Sequence, residues 1–170
     1  SLSNTPPYYT SINSINITVG GSEVVAYMYK IDSEAWSAEI DILNPILINN
    51  LSEGYHILKV IGKNGLNQWQ EVVNATTVEW VIDTVPPTAQ LDNLPQNPTN
   101  NQSIAVMVYG VGVYAYKYSL DNPDPRGSQE ILVSNDDIIN IDNISAGMHT
   151  LYIIARDEAG NWQDWQNPTT

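Results

Sequence analysis

The chain repeats itself, and this constrains its fold more than any other property. Tyr55 to Gln70 (YHILKVIGKNGLNQWQ) lies without gaps on Met148 to Gln163 (MHTLYIIARDEAGNWQ), 93 residues further on. That spacing sets Gly54 on Gly147, His56 on His149, Leu58 on Leu151 and Trp69 on Trp162. Upstream, Tyr27 to Asp32 (YMYKID) matches Tyr116 to Asp121 (YKYSLD) at a spacing of 89, and Pro6-Pro7 falls on Pro86-Pro87 at 80. Self-similarity of this kind marks repeated structural units. The rising spacing predicts two loop insertions in the second copy, at Asp92 to Gln102 and at Asn122 to Gln129. Both stretches have the Pro, Asn and Gly content of loops. Proline removes backbone donors and stiffens a short connection. The run Asp83-Thr84-Val85-Pro86-Pro87 therefore predicts a boundary, with a first domain over 1–84 and a second over 85–170.

Within each copy the apolar period is two, the period of a half-buried strand. Val25, Tyr27, Tyr29 and Ile31 alternate with Ala26, Met28 and Lys30, and Tyr114, Tyr116, Tyr118 and Leu120 repeat the pattern. Strands are expected at 8–12, 14–19, 25–31, 37–42, 45–51, 56–63 and 77–83, then at 88–91, 103–109, 113–120, 129–133, 138–142 and 149–156. Seven short strands in a unit of this length, separated by turn residues, predict an all-β chain of two tandem immunoglobulin-like sandwiches.

The strings YxYxID, LSEGYHxLxV, NxWQ and WVIDTVPP, with the second-copy counterpart SAGMHTLYIIARDEAGNWQ, resemble the bacterial immunoglobulin-like repeats of large secreted and cell-surface proteins. The resemblance covers nearly the whole chain, and GxHxL, DxAGN and DTxPP are markers of fold rather than of a reaction. It implies an extracellular or cell-surface setting. The first copy departs from it with Asn64-Gly65-Leu66-Asn67, where the second has Asp157-Glu158-Ala159-Gly160.

Carried to the end, the spacing of 93 sets Asn74 to Thr77 on Asn167 to Thr170, so the second copy has no counterpart of VEWVID and is expected to lack its last strand within the chain. The spacing of 80 sets Ser1 to Asn4 on Val81 to Thr84, which predicts that the chain opens on the tail of a preceding last strand. Three readings follow: a part of a longer tandem array, a polymerising subunit whose open sheet edge accepts a strand from a neighbour, or a sheet closed in some other way. The second would draw its donor from Ser1 to Thr5, just ahead of Pro6-Pro7, and proline cannot continue a ladder.

Composition removes other classes. Six Lys and Arg against 19 Asp and Glu leave a formal charge of -13, which repels phosphate and argues against nucleic acid or an anionic membrane surface as partner. The absence of cysteine excludes disulfides, thiolate catalysis and Cys-ligated zinc within the chain. No apolar run approaches the roughly 20 residues of a membrane-spanning helix, so membrane insertion is not expected.

The sites expected from sequence are few. His56 and His149 occupy equivalent positions and read as caps at the start of a strand, each ring packed on the preceding turn; no nucleophile elbow, phosphate loop or HExxH accompanies them. An enzyme is not expected. Calcium is the expected ion if any is bound, because oxygen donors gather at turns: Asp121 and Asp124, Asp136 and Asp137, Asp157 and Asn161. Asp and Asn equally suit turns by bonding their own backbone. Trp165 and Trp36 are the rings expected to contact a glycan, since exposed aromatic faces stack on sugars, while Trp69 and Trp162 recur as repeat positions and read as packing. Asn50 and Asn143, equivalent positions in Asn-x-Ser/Thr triplets, are candidate glycosylation sites. The combined expectation is an extracellular structural or adhesion protein, a stalk, spacer or filament subunit whose partners are neighbouring immunoglobulin-like domains, identical subunits or surface glycans. The competing expectation is a carbohydrate-binding module of a secreted enzyme.

Overall fold

The computed structural model describes residues 1–134 and 138–170. The chain divides into two compact units, Ser1–Thr84 and Val85–Thr170. Among the described residues all regular structure is strand, apart from 3-10 turns at Val72–Asn74 and Pro125–Gly127.

The first unit holds β1 (Leu2–Ser3), β2 (Tyr9–Thr10), β3 (Ile15–Val19), β4 (Val24–Ile31), β5 (Ile40–Asp41), β6 (Ile46–Ile48), β7 (Gly54–Asn64) and β8 (Thr76–Ile82). They form a three-stranded sheet, β1-β3-β6, and a five-stranded one, β2-β8-β7-β4-β5. The expected alternation is clearest in β3, where Ile15, Ile17 and Val19 are buried and Asn16 and Thr18 are exposed. Inward residues from both sheets, among them Ile17, Tyr27, Ile46, Leu58, Val60, Trp80 and Ile82, make one core. Each such side chain taken fully out of water contributes roughly 1.5–3 kcal/mol. Tyr27 keeps its hydroxyl satisfied there by donating to the Asn44 carbonyl at 2.8 Å.

Val25 departs from the alternation. The β4–β7 register slips between Val24 and Ala26, a bulge that leaves Val25 43% exposed while Tyr27 stays in the core. An extra residue on one strand turns its side chain away from the face its neighbours share.

The second unit holds β9 (Gln90–Asp92), β10 (Ile104–Tyr109), β11 (Ala115–Leu120), β12 (Ile131–Leu132), β13 (Ile138–Ile141) and β14 (Leu151–Arg156), in sheets β13-β10-β9 and β12-β11-β14. Its hydrogen-bond register corrects the alignment of the two copies. Leu2 faces Val19 and Leu91 faces Val108; Ser3 faces Thr18 and Asp92 faces Met107. Both pairs stand at a spacing of 89, so residues 1–32 correspond to 90–121 without a gap. Left-handed residues recur on the same spacing: Asn4 and Asn93 (φ 58° each), Glu23 and Gly112 (65° and 74°), Asp32 and Asp121 (49° and 62°).

Asp92 to Gln102 therefore carries no insertion, and Ser1 to Ser3 is the first strand of its own sandwich rather than the tail of a preceding one. A Pro-Pro pair suits any extended connection and so holds little register information. Leu2 and Leu91, by contrast, must each reach a core, and both are packed against one. The strand donor expected at Ser1 to Thr5 is accordingly already paired within its own unit, Leu2 and Ser3 on β3. The extra length of the second copy falls between Asp121 and Asn143, a stretch that includes the Pro125–Gly127 turn.

Candidate functional site

The polar residues repeated in both copies converge on one arrangement. In the first unit, Asp32 lies just past β4 in a left-handed conformation and faces the start of β7. Its Oδ2 is 2.8 Å from His56 Nδ1, its Oδ1 accepts the Ile57 N–H at 2.8 Å, and its own N–H donates to the Ile57 carbonyl at 2.8 Å. His56 Nε2 lies 2.8 Å from the carbonyl of Ser52 in the preceding turn. The second unit repeats the set: Asp121 Oδ2 to His149 Nδ1 at 2.7 Å, Asp121 Oδ1 from the Thr150 N–H at 2.8 Å, and His149 Nε2 to the Ser145 carbonyl at 2.9 Å.

Both ring nitrogens of each histidine thus face acceptors, and only the imidazolium donates to both. Burial works against protonation of His56, yet the Ser52 carbonyl and the Asp32 carboxylate outweigh it, and its pKa lies above the ordinary 6.5. The hydrogen bond to Asp121, then that to Ser145, raises His149 in the same direction. His149 and the Thr150 N–H in turn hold Asp121 below its ordinary 3.8. The ring does pack on the turn before the strand, as expected from sequence; the aspartate that fixes its other nitrogen was not anticipated. The signal was present, because an Asp follows both YxYxI and YxYxL at equivalent positions.

Two other acidic candidates, Asp124 and Asp157, are held by N–H groups or a cation. Asp124 pairs with the Arg126 guanidinium at 2.7 Å and accepts the Arg126 backbone N–H at 3.1 Å, and these bonds, in that order, lower its pKa. Asp157 is buried and accepts the Asn161 N–H at 2.8 Å on one oxygen and Asn161 Nδ2 at 2.7 Å on the other. Asn64 does the equivalent work in the first copy, taking the N–H groups of Leu66 and Gln68 at 2.9 and 3.0 Å. An amide oxygen serves this turn as well as a carboxylate does, so one copy manages without the aspartate. Asp136 and Asp137 lie outside the described residues. Among those described, no three His, Cys, Asp or Glu side chains gather as a metal-holding group.

Tryptophan and cation are paired along the chain. Lys30 lies over Trp36 (5.8 Å to the ring centre), Lys63 over Trp69 (5.5 Å), Lys117 over Trp162 (5.1 Å) and Arg126 over Trp165 (3.8 Å). Arg156 reaches both Tyr114 and Trp162. Trp36 and Trp165 are half-buried, each with a cation over the ring. Asn50 and Asn143 are exposed and left-handed (φ 59° and 58°).

The strands beside β7 and β14 pair as follows. In the first, β8 lies along β7 from Val60–Thr76 through Leu58–Val78 and His56–Trp80 to Gly54–Ile82. In the second, Thr169 exchanges both backbone hydrogen bonds with Ile153 at 2.9 Å, the counterpart of the Val60–Thr76 pair. No strand among the described residues continues past Leu151 and His149. Hydrogen-bonding direction alternates along a strand, and the Thr150 and Arg156 carbonyls take N–H groups from the β11 side. The backbone groups of His149 and Leu151 therefore point away from β11.

Equivalent core positions differ in burial between the two units. Ile15, Ile31 and Leu58 are buried in the first unit, whereas their counterparts Ile104, Leu120 and Leu151 are half-buried. The His149 side chain is 23% exposed against 5% for His56, whose ring lies 5.8 Å from the buried indole of Trp80.

Two sandwiches of this topology in tandem place the chain in the all-β class with immunoglobulin-like and fibronectin(III)-like folds. It is similar to the fibronectin(III)-like modules of Clostridium thermocellum CbhA, with a TM-score of 0.53 and 12% identity over 95% of this chain and 84% of that one. It is also similar to the central fibronectin-III array of RIM-binding protein, with a TM-score of 0.31 and 12% identity over 89% of this chain and 62% of that one. No family model and no curated protein matches the sequence.

Proposed function

We propose that the chain is a pair of structural modules from a secreted or cell-surface protein of the bacterial immunoglobulin-like type, acting as a spacer or stalk and meeting neighbouring sandwich domains. The observation that carries this reading is the repeated Asp–His clamp. The same polar groups are spent in both units on fastening the end of one strand to the start of another, which resists opening of the sheet. The acidic balance supports solubility of a long array.

The test is to stretch the full chain in a force-extension experiment. Two separate cooperative events are expected, each releasing close to 280 Å from a unit of about 84 residues, at roughly 3.3–3.6 Å per residue. A single gradual extension overturns the spacer reading. The carbohydrate-module reading draws on Trp165 and Trp36, and is favoured instead by saccharide binding that disappears in Trp165→Ala.

A further inference from the structure

We propose that the outer face of the five-stranded sheet carries a cation site, in which Tyr9 and Tyr55 stand as walls on either side of Val81 and take the head of a small, soluble quaternary-ammonium compound. Such a site goes beyond the structural-module reading and does not depend on it.

Strand register builds the site. Tyr9 of β2 and Tyr55 of β7 both lie opposite Val81 of β8, so the three side chains share one face. That face is the outer one, because the adjacent Thr10 and Ile82 are buried while Tyr9 and Tyr55 are 38% and 52% exposed. Side chains stand roughly perpendicular to a sheet. With strands about 4.8 Å apart, the two rings rise about 9–10 Å from each other, and a group centred over half-buried Val81 lies about 5 Å from each. A cation is attracted to an aromatic face within about 6 Å of its centre. Tyr8 packs edge-on to Tyr9 at 4.9 Å and 87°, which braces that wall.

Charge selects the occupant. Glu79 is exposed and stands two residues before Val81 on the same face. It lies beside the Tyr55 hydroxyl, whose pKa is raised by desolvation and then by a hydrogen bond to this carboxylate. Residues 1–84 hold nine Asp and Glu against three Lys. The chain itself seats cations on rings, since five of its six Lys and Arg lie over a Trp or Tyr. Among the described residues none lies over Tyr8, Tyr9 or Tyr55. A compact ammonium is strongly hydrated and gives up water reluctantly, whereas the methyl groups of a quaternary one also cover Val81. A phosphate or carboxylate next to the ammonium is repelled by Glu79, which favours free choline over a phospholipid headgroup. The fold does not require these rings: Asn97, Pro98 and Met148 stand in the second copy where Tyr8, Tyr9 and Tyr55 stand in the first.

The experiment titrates choline into the full chain and follows saturation transfer from the protein's aromatic protons to the choline methyl groups. Millimolar affinity is expected. Tyr9→Leu and Tyr55→Leu are each expected to weaken it at least threefold with the denaturant midpoint retained, and Tyr55→Phe, which keeps the ring, less than twofold. The neutral isostere carrying tert-butyl in place of trimethylammonium is expected to bind at least fivefold more weakly. Equal binding of the isostere overturns the cation site, as does choline binding that survives both Leu variants, or no binding at millimolar concentration. Phosphocholine binding as tightly as choline overturns the choice of a bare ammonium. Transfer to a neutral oligosaccharide and none to choline overturns the site by assigning the face to a glycan.

Discussion

Asp32 holds His56 by a 2.8 Å contact to Nδ1 and, with its other oxygen, holds the backbone of the next residue. One carboxylate thus ties the end of β4 to both the side chain and the main chain at the start of β7. Asp121 and His149 do the same in the second unit. A histidine whose charge depends on pH therefore helps to fasten each sandwich.

The pH dependence follows from the direction of the shifts. A histidine with raised pKa in the folded state binds its proton more tightly there than in the unfolded chain, so its contribution is complete below 6.5 and is lost as pH rises through the higher folded value. Asp121, lowered from 3.8, contributes above that pH and loses its contribution as pH falls through its folded value. Denaturant midpoints are expected to decline from pH 6 to pH 8.5, and His56→Gln is expected to flatten the decline in the first unit. An unchanged slope in that variant would mean the clamp carries no proton linkage.

The turn after β7 and its counterpart after β14 differ in chemistry but not in task. Asn64→Asp is expected to change stability by less than about 0.5 kcal/mol, since Gln68 can present its amide N–H to the new oxygen. Asp157→Ala is expected to cost about 1–3 kcal/mol, because it removes the acceptor of the half-buried Asn161 N–H and of its side-chain amide. Chemical denaturation of the two variants compares them directly, and equal losses would contradict the assignment.

Glu23 adopts φ 65° where the second copy has Gly112 at 74°. The left-handed region costs a side-chain-bearing residue roughly 1–2 kcal/mol relative to glycine. Replacing Glu23 with Gly relieves this but gives the unfolded chain more freedom, so a net gain of about 0.5 kcal/mol is expected. Gly112→Glu should destabilise by a comparable amount. A thermal melt of each variant checks the sign.

The framework already uses the oxygens of Asp121, Asp124 and Asp157 that a calcium ion would need. Millimolar calcium is expected to move the unfolding midpoint by less than about 1 °C, because binding must first break contacts each worth roughly 1.5–3 kcal/mol. A rise of several degrees that vanishes in Asp157→Asn would place an ion at that turn.

Strand identity was legible because alternation survives in short segments: Ile15, Ile17 and Val19 announce β3 without any knowledge of their partners. The duplication was legible for the same reason, as His56 and His149 recur in matching strings. Less was legible wherever the outcome depended on what a residue meets across the sheet. Val25 looks like a core position until a bulge turns it outward. Pro6-Pro7 looks equivalent to Pro86-Pro87 until the β1–β3 register sets Leu2 on Leu91.

The chain's residues by themselves determined an all-β, twice-repeated architecture, because periodicity and turn residues act locally and are written along the chain. Only the tertiary structure decided which aspartate meets which histidine and that Trp80 lies opposite His56. These are contacts between segments some 20 or more residues apart, and their geometry is set by strand register, which no local pattern encodes.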